Sequence, residues 1–195
     1  MLITVIIPVF KNVELVENAI KSLESQTYNK FEVIIVNDGS KELKKIKKII
    51  KIYDKYLDIK LINNKINRGV SYALNIGIKK ARGNYISWLS SDDYFHKKKF
   101  ELQLKELKKN DLCITGFFCV DKNNKIIKTV KYDKIYFTPK NHILIRDNFN
   151  FCTFLIKKKV FTKVGYFNEK LRHVQDYDMM FRIFKYFNPK ILNKC

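Results

Sequence analysis

Short apolar segments that alternate with amphipathic segments dominate the first half of the chain. The apolar segments span residues 2–9 and 31–37, which are nearly continuous in hydrophobic character, and two shorter strands are predicted at 59–63 and 85–89. Such runs are typical of strands that are buried on both faces of a parallel sheet. Because helical spacing of apolar residues separates them, the order predicts an α/β fold with a mainly parallel central sheet flanked by helices.

The segments between these strands are predicted to be helices, since their apolar residues recur three or four positions apart. The predicted helices span residues 13–25, 41–57 and 71–81, and Asn12 is a candidate N-cap for the first. The second helix carries many lysines opposite an apolar stripe, a pattern that indicates a solvated helix face.

The last third of the chain has a different pattern. A polar turn at residues 121–124 separates two apolar segments and predicts a hairpin formed by residues 112–120 and 125–131. A further strand is predicted at residues 151–156, and helices are predicted at residues 97–107, 159–164 and 174–187. We expect this part of the chain to cover a binding crevice from one side.

Three strand ends carry the residues that could form that crevice. They are Pro8-Val9-Phe10, Asn37-Asp38-Gly39 and Ser90-Ser91-Asp92-Asp93. In open parallel sheets, ligands bind beyond the carboxyl ends of the strands. We therefore expect polar groups from all three strand ends to converge on one crevice, while Trp88 is assigned to the core.

Length and composition favour a single domain over residues 1–195. No apolar run approaches the ~20 residues that span a bilayer, and residues 1–8 lack the basic start of a signal peptide. A cytoplasmic location is therefore expected. Four cysteines, at positions 113, 119, 152 and 195, show no paired or metal-ligand spacing and are interpreted as reduced, packed thiols.

Positive charge is the strongest compositional bias. The formal net charge is +20, and only five of the 39 basic residues are arginines. Such charge suggests nucleic-acid binding, but the aromatic residues fall in apolar strands and helix stripes rather than beside arginines on an exposed face. Nucleic acid is therefore not expected as a partner. The lysines could instead hold the protein near an anionic membrane surface as a peripheral protein.

Four aspartates could carry chemistry, and each has a simpler interpretation. Asp92 and Asp93 repel each other unless a cation offsets them, so they could bind a metal–diphosphate group or merely form a turn or helix cap. Asp38 could accept a hydrogen bond from a uracil N3–H or a ribose hydroxyl, or only shape an Asp-Gly turn. Asp176 could be a general base or only cap the last helix.

The set of motifs resembles family 2 of the inverting glycosyltransferases, which have the GT-A fold. The resemblance covers almost the whole chain, and it depends on the order of the blocks, because each block alone is unspecific. The blocks are Val5-Ile6-Ile7-Pro8-Val9-Phe10-Lys11-Asn12, Ser25-Gln26-Thr27-Tyr28, Phe31-Glu32-Val33-Ile34-Ile35-Val36-Asn37-Asp38-Gly39-Ser40, Asn67-Arg68-Gly69, Ala73-Leu74-Asn75-Ile76-Gly77, Ala81-Arg82-Gly83-Asn84-Tyr85-Ile86, Leu89-Ser90-Ser91-Asp92-Asp93, Val164-Gly165-Tyr166-Phe167-Asn168-Glu169 and Gln175-Asp176-Tyr177-Asp178-Met179-Met180-Phe181-Arg182.

This resemblance implies an enzyme that transfers a sugar, with inversion, from a nucleotide-sugar donor to an acceptor hydroxyl. A UDP-sugar is the expected donor. A saccharide or lipid-linked acceptor is expected, in surface polysaccharide or glycolipid synthesis. Residues 1 to about 95 would bind the donor, and residues from about 96 to 195 would form the acceptor side.

The same resemblance implies the donor-side residues. Pro8, Val9 and Phe10 would border the nucleotide base, and Asp38 would bond uracil. Arg68 is a further donor-side contact. These five residues come from two strand ends and one loop, so only a folded sheet can bring them together.

The resemblance also implies the reacting groups. Asp92 would face the ribose or the sugar, and Asp93 would hold a divalent metal, Mg²⁺ or Mn²⁺, that bridges the diphosphate. Asp176 would be the catalytic base. Ser90 stands where many relatives have aspartate, which leaves two carboxylates in the metal segment.

The sequence leaves other functions open. A dehydrogenase would need a G-x-G-x-x-G motif after the first strand, and neither this motif nor a phosphate-binding P-loop is present. Many relatives continue well beyond the point corresponding to Cys195. The alternatives to an active transferase are therefore a catalytically impaired or truncated homologue that binds the donor, and a basic nucleic-acid-binding module.

Overall fold

A computed structural model describes residues 1–132 and 149–193. The strands are β1 (Ile3–Val9), β2 (Phe31–Asp38), β3 (Asp58–Asn64), β4 (Tyr85–Trp88), β5 (Leu112–Thr115), β6 (Phe117–Val120), β7 (Ile126–Val130), β8 (Phe154–Lys157) and β9 (Lys190–Leu192). The helices are α1 (Val16–Glu24), α2 (Leu43–Tyr53), α3 (Val70–Lys80), α4 (Lys99–Leu107), α5 (Lys159–Val164) and α6 (Gln175–Tyr186).

A seven-stranded sheet in the order β3-β2-β1-β4-β8-β5-β9 forms the centre of the fold. Strands β1 to β4 pair in parallel, and β5 pairs in parallel with β9. Strand β8 lies antiparallel between β4 and β5. The mainly parallel sheet expected from the sequence is confirmed.

Apolar layers cover both faces of this sheet. One layer packs α3 and α6 on the face that contains Ile6 and Ile34, and the other packs α1, α2 and α4 on the face that contains Ile7 and Ile35. Helix α3 lies very close to β1, since a Cβ added at Gly77 would be 2.6 Å from Cγ2 of Ile6. Two-sided burial explains why β1 and β2 are nearly continuous apolar runs.

The prediction of residues 112–120 as one hairpin arm is wrong. This segment contains two strands, and the chain leaves the main sheet between them at Gly116. All four residues of β5 are buried in the main sheet, whereas β6 pairs with β7 in a separate two-stranded sheet. An apolar run alone does not show which of two sheets each half of it joins.

Several element boundaries also differ from the prediction. Asn12 is not a side-chain N-cap, because its backbone is left-handed (φ 54°) and a cap residue needs an extended backbone. Helix α2 begins at Leu43 and ends at Tyr53, inside the predicted range. Residues 151–153 form a 3₁₀ turn before β8, and the pattern did not predict β9.

Cys113 and Cys152 are buried free thiols, as expected for packed cysteines, and Cys119 is half-buried. Burial raises the pKa of Cys113 and of Cys152 to about 12. Cys195 lies outside the described residues. None of the helices in the described part of the chain is long and apolar enough to span a membrane.

Candidate active site

A crevice of about 320 Å³ opens at the carboxyl ends of β1, β2 and β4. Its walls combine residues from all three strand ends with the start of α3: Pro8, Val9, Phe10, Lys11, Asn12, Asp38, Asn67, Val70, Ala73, Trp88, Ser90, Ser91 and Asp92. The expected convergence of the strand ends is confirmed. Among the residues singled out from the sequence, Arg68, Asp93 and Asp176 are not part of this lining.

The Asp38 carboxylate holds the loop that leads into α3. Its Oδ2 accepts the Gly69 backbone N–H at 2.7 Å, and both of its oxygens lie 3.1 Å from the Arg68 backbone nitrogen. The Asn64 side chain donates to Oδ1 at 3.1 Å. Asp38 is only 3% exposed, so its charge is stabilised mainly by these N–H groups near the positive end of α3.

The turn after Asp38 requires glycine and an amide. Gly39 has φ +82°, and a Cβ there would lie 2.4 Å from the Asn67 backbone nitrogen. Asn37 donates to Asn63 Oδ1 at 2.7 Å and accepts the Ser40 backbone N–H at 3.0 Å. A carboxylate could not make the first of these bonds, which explains asparagine at this position.

Asp92 and Asp93 occupy different environments although they are adjacent. Asp92 is exposed and lines the crevice, whereas Asp93 is half-buried behind it. Burial raises the pKa of Asp93 and the Asp92 carboxylate adds to the rise, although hydrogen bonds with Cys152 and Asn150 oppose it. Asp93 is therefore a carboxylate whose ionised form a nearby cation would favour.

The described residues contain no cluster of three or more potential metal-binding side chains. A cation that bridges a diphosphate needs only one or two protein carboxylates, because phosphate oxygens and water supply its other ligands. The pair formed by Asp92 and Asp93, with the raised pKa of Asp93, fits such a cation.

Arg68 and Phe10 lie at the edges of the crevice. The Arg68 guanidinium is 3.7 Å from the centre of the Tyr72 ring and stacks on it. The Phe10 side chain is 43% exposed. An exposed ring at the mouth of a crevice offers a flat apolar face to a planar ligand.

Trp88 lines the crevice and is only partly buried, so its assignment to the core is incomplete. Its ring centre lies 5.6 Å from that of Phe151 and 6.2 Å from that of Phe167. Sequence reasoning also missed Asn67 and Val70 as lining residues. The signal that could have identified Asn67 is its place in the Asn67-Arg68-Gly69 block, from which only Arg68 was selected.

Asp176 is the second residue of α6, as expected from its predicted place at a helix start. The loop before α6 is attached to α3 by Asn75, whose side chain donates to the Phe167 carbonyl at 2.9 Å and accepts the Phe167 N–H at 2.9 Å. The same amide donates to Glu169 at 2.9 Å. These buried bonds couple the segment that carries Asp176 to the helix that forms one wall of the crevice.

The neighbouring carboxylate, Asp178, has a structural partner. Arg182 donates to Asp178 Oδ2 from two nitrogens, at 3.1 and 2.6 Å, and to the Val164 carbonyl at 2.6 Å. Val174, just before α6, has a left-handed backbone (φ 54°), which is strained for a β-branched residue. Asp178 therefore serves the fold at this helix start.

Comparison with known proteins identifies the family. The model described as Glycosyl transferase family 2 matches residues 4–175. An uncharacterized glycosyltransferase of Rickettsia bellii is 38% identical to this chain, and the match covers 99% of the chain and 29% of that protein. Another, from Rickettsia prowazekii, is 36% identical, with 99% and 63% covered. The chain thus spans less than two thirds of either relative.

Solved structures show the same fold. The S. aureus TarS fragment 1–349 in complex with UDP matches with a TM-score of 0.83 at 20% identity, over 100% of this chain and 59% of that chain. A mannosyltransferase from Pyrobaculum calidifontis, in complex with GDP-Man and Mn²⁺, matches with a TM-score of 0.72 at 16% identity, over 98% and 54%. The GT-A fold expected from the sequence is confirmed. With the family model matched over residues 4–175, the chain belongs to glycosyl transferase family 2.

Proposed function

We propose that this protein is an inverting glycosyltransferase that moves a sugar from a nucleotide-sugar, with UDP-sugar as the expected donor, to an acceptor hydroxyl. The observation that carries the proposal is the crevice where Phe10, Asp38 and Asp92 meet at three strand ends. Family membership supports sugar transfer as the general reaction. Nucleotide binding is supported by TarS, whose fragment forms crystals with UDP and with UDP-GlcNAc.

The base of the nucleotide is proposed to lie against Pro8, Val9 and Phe10. Asp38 lines the crevice, and we propose that it accepts the N3–H of uracil in addition to the N–H groups of the three residues that it already bonds. Arg68, exposed beside Tyr72, would contact the donor from the loop that Asp38 holds.

The diphosphate is proposed to lie beside Asp92 and Asp93, with Asp93 as the ligand of Mg²⁺ or Mn²⁺ and Asp92 toward the ribose or sugar. When bound, such a cation neutralises the charge of the departing nucleoside diphosphate. The raised pKa of Asp93 supports this assignment, because an adjacent cation would stabilise the ionised carboxylate. Mn²⁺ with GDP-Man in the compared mannosyltransferase supports the choice of metal.

Asp176 is proposed as the catalytic base. It would accept the proton of the acceptor hydroxyl while that oxygen attacks the anomeric carbon, and a single displacement inverts this carbon. A base of this kind contributes about 10² to 10⁴ in rate. The Asn75–Phe167 bonds support the role, because they attach the loop that leads toward Asp176 to α3, which forms one wall of the crevice.

The acceptor is proposed to be a saccharide or a lipid-linked saccharide, bound by residues from about 96 onward, in surface polysaccharide or glycolipid synthesis. A second candidate is a homologue that binds the donor without turnover. The specific observation that favours it is the absence of Asp176 from the lining of the crevice formed by the described residues.

The first test is calorimetric titration of UDP into the protein with Mn²⁺ and then with EDTA. We expect binding with Mn²⁺, and affinity at least about tenfold weaker in EDTA and in Asp93→Ala, because a bridging cation is lost. Asp54→Ala removes an exposed carboxylate directly after α2 and should bind like the wild type. Absence of UDP binding to the wild type would contradict the UDP donor, and the same titration with GDP would identify the nucleotide class.

The second test is Asp176→Asn, assayed as UDP release from a panel of UDP-sugars with added saccharide acceptors. We expect the rate to fall by about 10² to 10⁴ while UDP affinity stays unchanged, since the base acts only in the chemical step. Asp178→Asn is the matched control for a local change in charge. Equal, measurable rates for the wild type and Asp176→Asn would exclude this residue as the base. UDP binding with no UDP release from either protein would favour donor binding without turnover.

A further inference from the structure

The β6–β7 hairpin exposes a mixture of apolar and basic side chains. Phe118, Ile126 and Ile127 are 43%, 52% and 68% exposed. The basic side chains on the same two strands, on their turn and directly after β7 are all exposed, and they are Lys122, Lys125, Lys128 and Lys131. Large exposed apolar side chains that adjoin each other mark interaction surfaces more often than scattered single ones do.

The turn of this hairpin contains its one acidic residue. Asp121 is the single carboxylate within residues 117–131, all of which are described, and its Oδ1 accepts the backbone N–H groups of Asn123 and Lys125 at 2.9 Å each. The carboxylate is therefore engaged in shaping the turn. The lysines beside it present a positive surface on a preformed element.

A bulge spreads the apolar residues over both faces of the hairpin. Cys119 pairs with Lys128, and Val120 pairs with Ile126, which leaves Ile127 as an extra residue in β7. At a bulge, consecutive side chains no longer alternate strictly between the two faces of the sheet. As a result, two adjacent isoleucines are exposed near the tip rather than one.

We propose that the β6–β7 hairpin docks the protein onto an anionic membrane surface. Ile126 and Ile127, at the tip, enter the boundary between headgroups and acyl chains, and Lys122 and Lys125 of the adjoining turn contact the lipid phosphates. This combination of apolar and lysine side chains is that of interfacial membrane segments. Nucleic acid fits less well, because residues 117–131 contain no arginine and a single exposed aromatic ring.

The hairpin is also connected to the crevice. The Tyr94 hydroxyl donates to Asn124 Oδ1 at 3.2 Å, and Tyr94 directly follows Asp92 and Asp93. Docking of the hairpin therefore keeps the segment after β4 close to the headgroups. A lipid-linked acceptor would reach the site from the membrane, and this last step alone rests on the proposed function.

The test is co-sedimentation with phosphatidylcholine vesicles, with and without phosphatidylglycerol, in the absence of donor and metal. The wild type is expected to bind the anionic vesicles preferentially. Lys122→Gln with Lys125→Gln should weaken that binding about thirtyfold, from ~1 kcal/mol per lysine. Ile126→Ser with Ile127→Ser should weaken it about tenfold or more. Controls on α2, Lys47→Gln with Lys48→Gln and Ile52→Ser, should bind like the wild type.

The proposal is overturned if the wild type does not bind anionic vesicles, or if it binds neutral vesicles equally well. It is also overturned if the hairpin variants bind like the wild type or if the α2 lysine variant loses as much affinity. Loss of single-stranded DNA binding in the hairpin variants, with vesicle binding retained, would assign the surface to nucleic acid instead. UDP binding, measured separately, reports on the proposed donor site and distinguishes its failure from a failure of membrane docking.

Discussion

Three residues donate N–H groups to the carboxylate of Asp38, and one of them lies 31 positions further along the chain. This carboxylate therefore has a structural task whatever it does for a nucleotide. Hydrogen bonds to a charged group contribute about 1.5 to 3 kcal/mol each to stability. A substitution here should change both the stability of the protein and the shape of the crevice.

Asp38→Asn is expected to lower the free energy of unfolding by about 2 kcal/mol, because an amide nitrogen would face N–H donors and the charge would be lost. Urea unfolding measures this change. Asn64→Ala, which removes one donor only, should cost less. If Asp38→Asn unfolds like the wild type and yet binds UDP weakly, the carboxylate acts on the nucleotide and does not hold the loop.

Lys99 is the most unusual ionisable residue of the fold. Its ammonium donates to Gln103 Oε1 at 2.6 Å and lies 4.7 Å from the centre of the Phe95 ring. No carboxylate is within ion-pair distance of it in the described part of the chain. Burial therefore lowers the pKa of Lys99 to about 7.

The lowered pKa of Lys99 predicts a pH-dependent stability. Between about pH 7 and the ordinary lysine pKa of 10.5, the unfolded chain binds more protons than the folded one, so stability rises with pH. We expect the free energy of unfolding to rise by about 2 to 3 kcal/mol between pH 7 and 9.5.

Lys99→Met should remove this rise, and Lys98→Met, at an exposed neighbour, should keep it. Urea unfolding at pH 7 and pH 9.5 measures the rise in the free energy of unfolding for each protein. A rise of the same size in Lys99→Met would show that other groups cause the pH dependence.

At the scale of elements, Glu32 connects β2 to its neighbours at the amino end of the sheet. Oε1 accepts the Thr4 hydroxyl and the Arg82 backbone N–H at 2.6 Å each, and Oε2 accepts Arg82 Nε at 2.7 Å. Arg82 also pairs with Asp58 at the start of β3. Burial alone would raise the pKa of Glu32, but these hydrogen bonds and the guanidinium charge lower it below its usual value.

Glu32→Gln is expected to cost about 2 kcal/mol at pH 7, because a charged acceptor of several bonds is lost. The contribution of Glu32 is fully present above its ordinary pKa of 4.5 and is lost as the pH falls through the lowered folded pKa. The variant should therefore lose less stability on acidification than the wild type. Thermal unfolding from pH 6 to pH 3 measures this, with Glu24→Gln as an exposed control, and parallel curves would contradict it.

At the scale of the whole molecule, the formal net charge of +20 means that the basic side chains of the surface repel one another on balance. Like charges on a compact surface oppose folding, and salt screens them over a Debye length of about 10 Å at 0.1 M. Sodium chloride at moderate concentration is therefore expected to raise the free energy of unfolding by about 1 kcal/mol. The same salt should weaken vesicle binding, because it also screens the lysines of the β6–β7 hairpin.

A variant with Lys47→Glu, Lys48→Glu and Lys51→Glu lowers the net charge by six units. It should gain less stability from salt than the wild type does. Denaturant unfolding at low and moderate ionic strength compares the two proteins. Equal gains would assign the effect of salt to apolar burial rather than to charge.

Much of the fold was predictable because its signals are local. Strands β1, β2 and β4 have nearly the predicted length and are almost wholly buried, whereas β3 is an edge strand whose residues are half-buried or exposed. Periodicity could not predict β9 or the antiparallel direction of β8, because both depend on pairing with β5. Whether residues 112–115 and 117–120 share one sheet depends on the same long-range contacts.

By itself, the sequence determined that polar groups would gather at the carboxyl ends of three parallel strands, since the pattern of buried strands requires it. Only the tertiary structure decided how those groups are used. It placed Asp92 on the crevice and Asp93 behind it, bonded Asp38 to the loop before α3, and left Asp176 outside the lining. The physical reason is that hydrogen-bond partners and burial depend on residues that are distant in the chain and meet only when the chain folds.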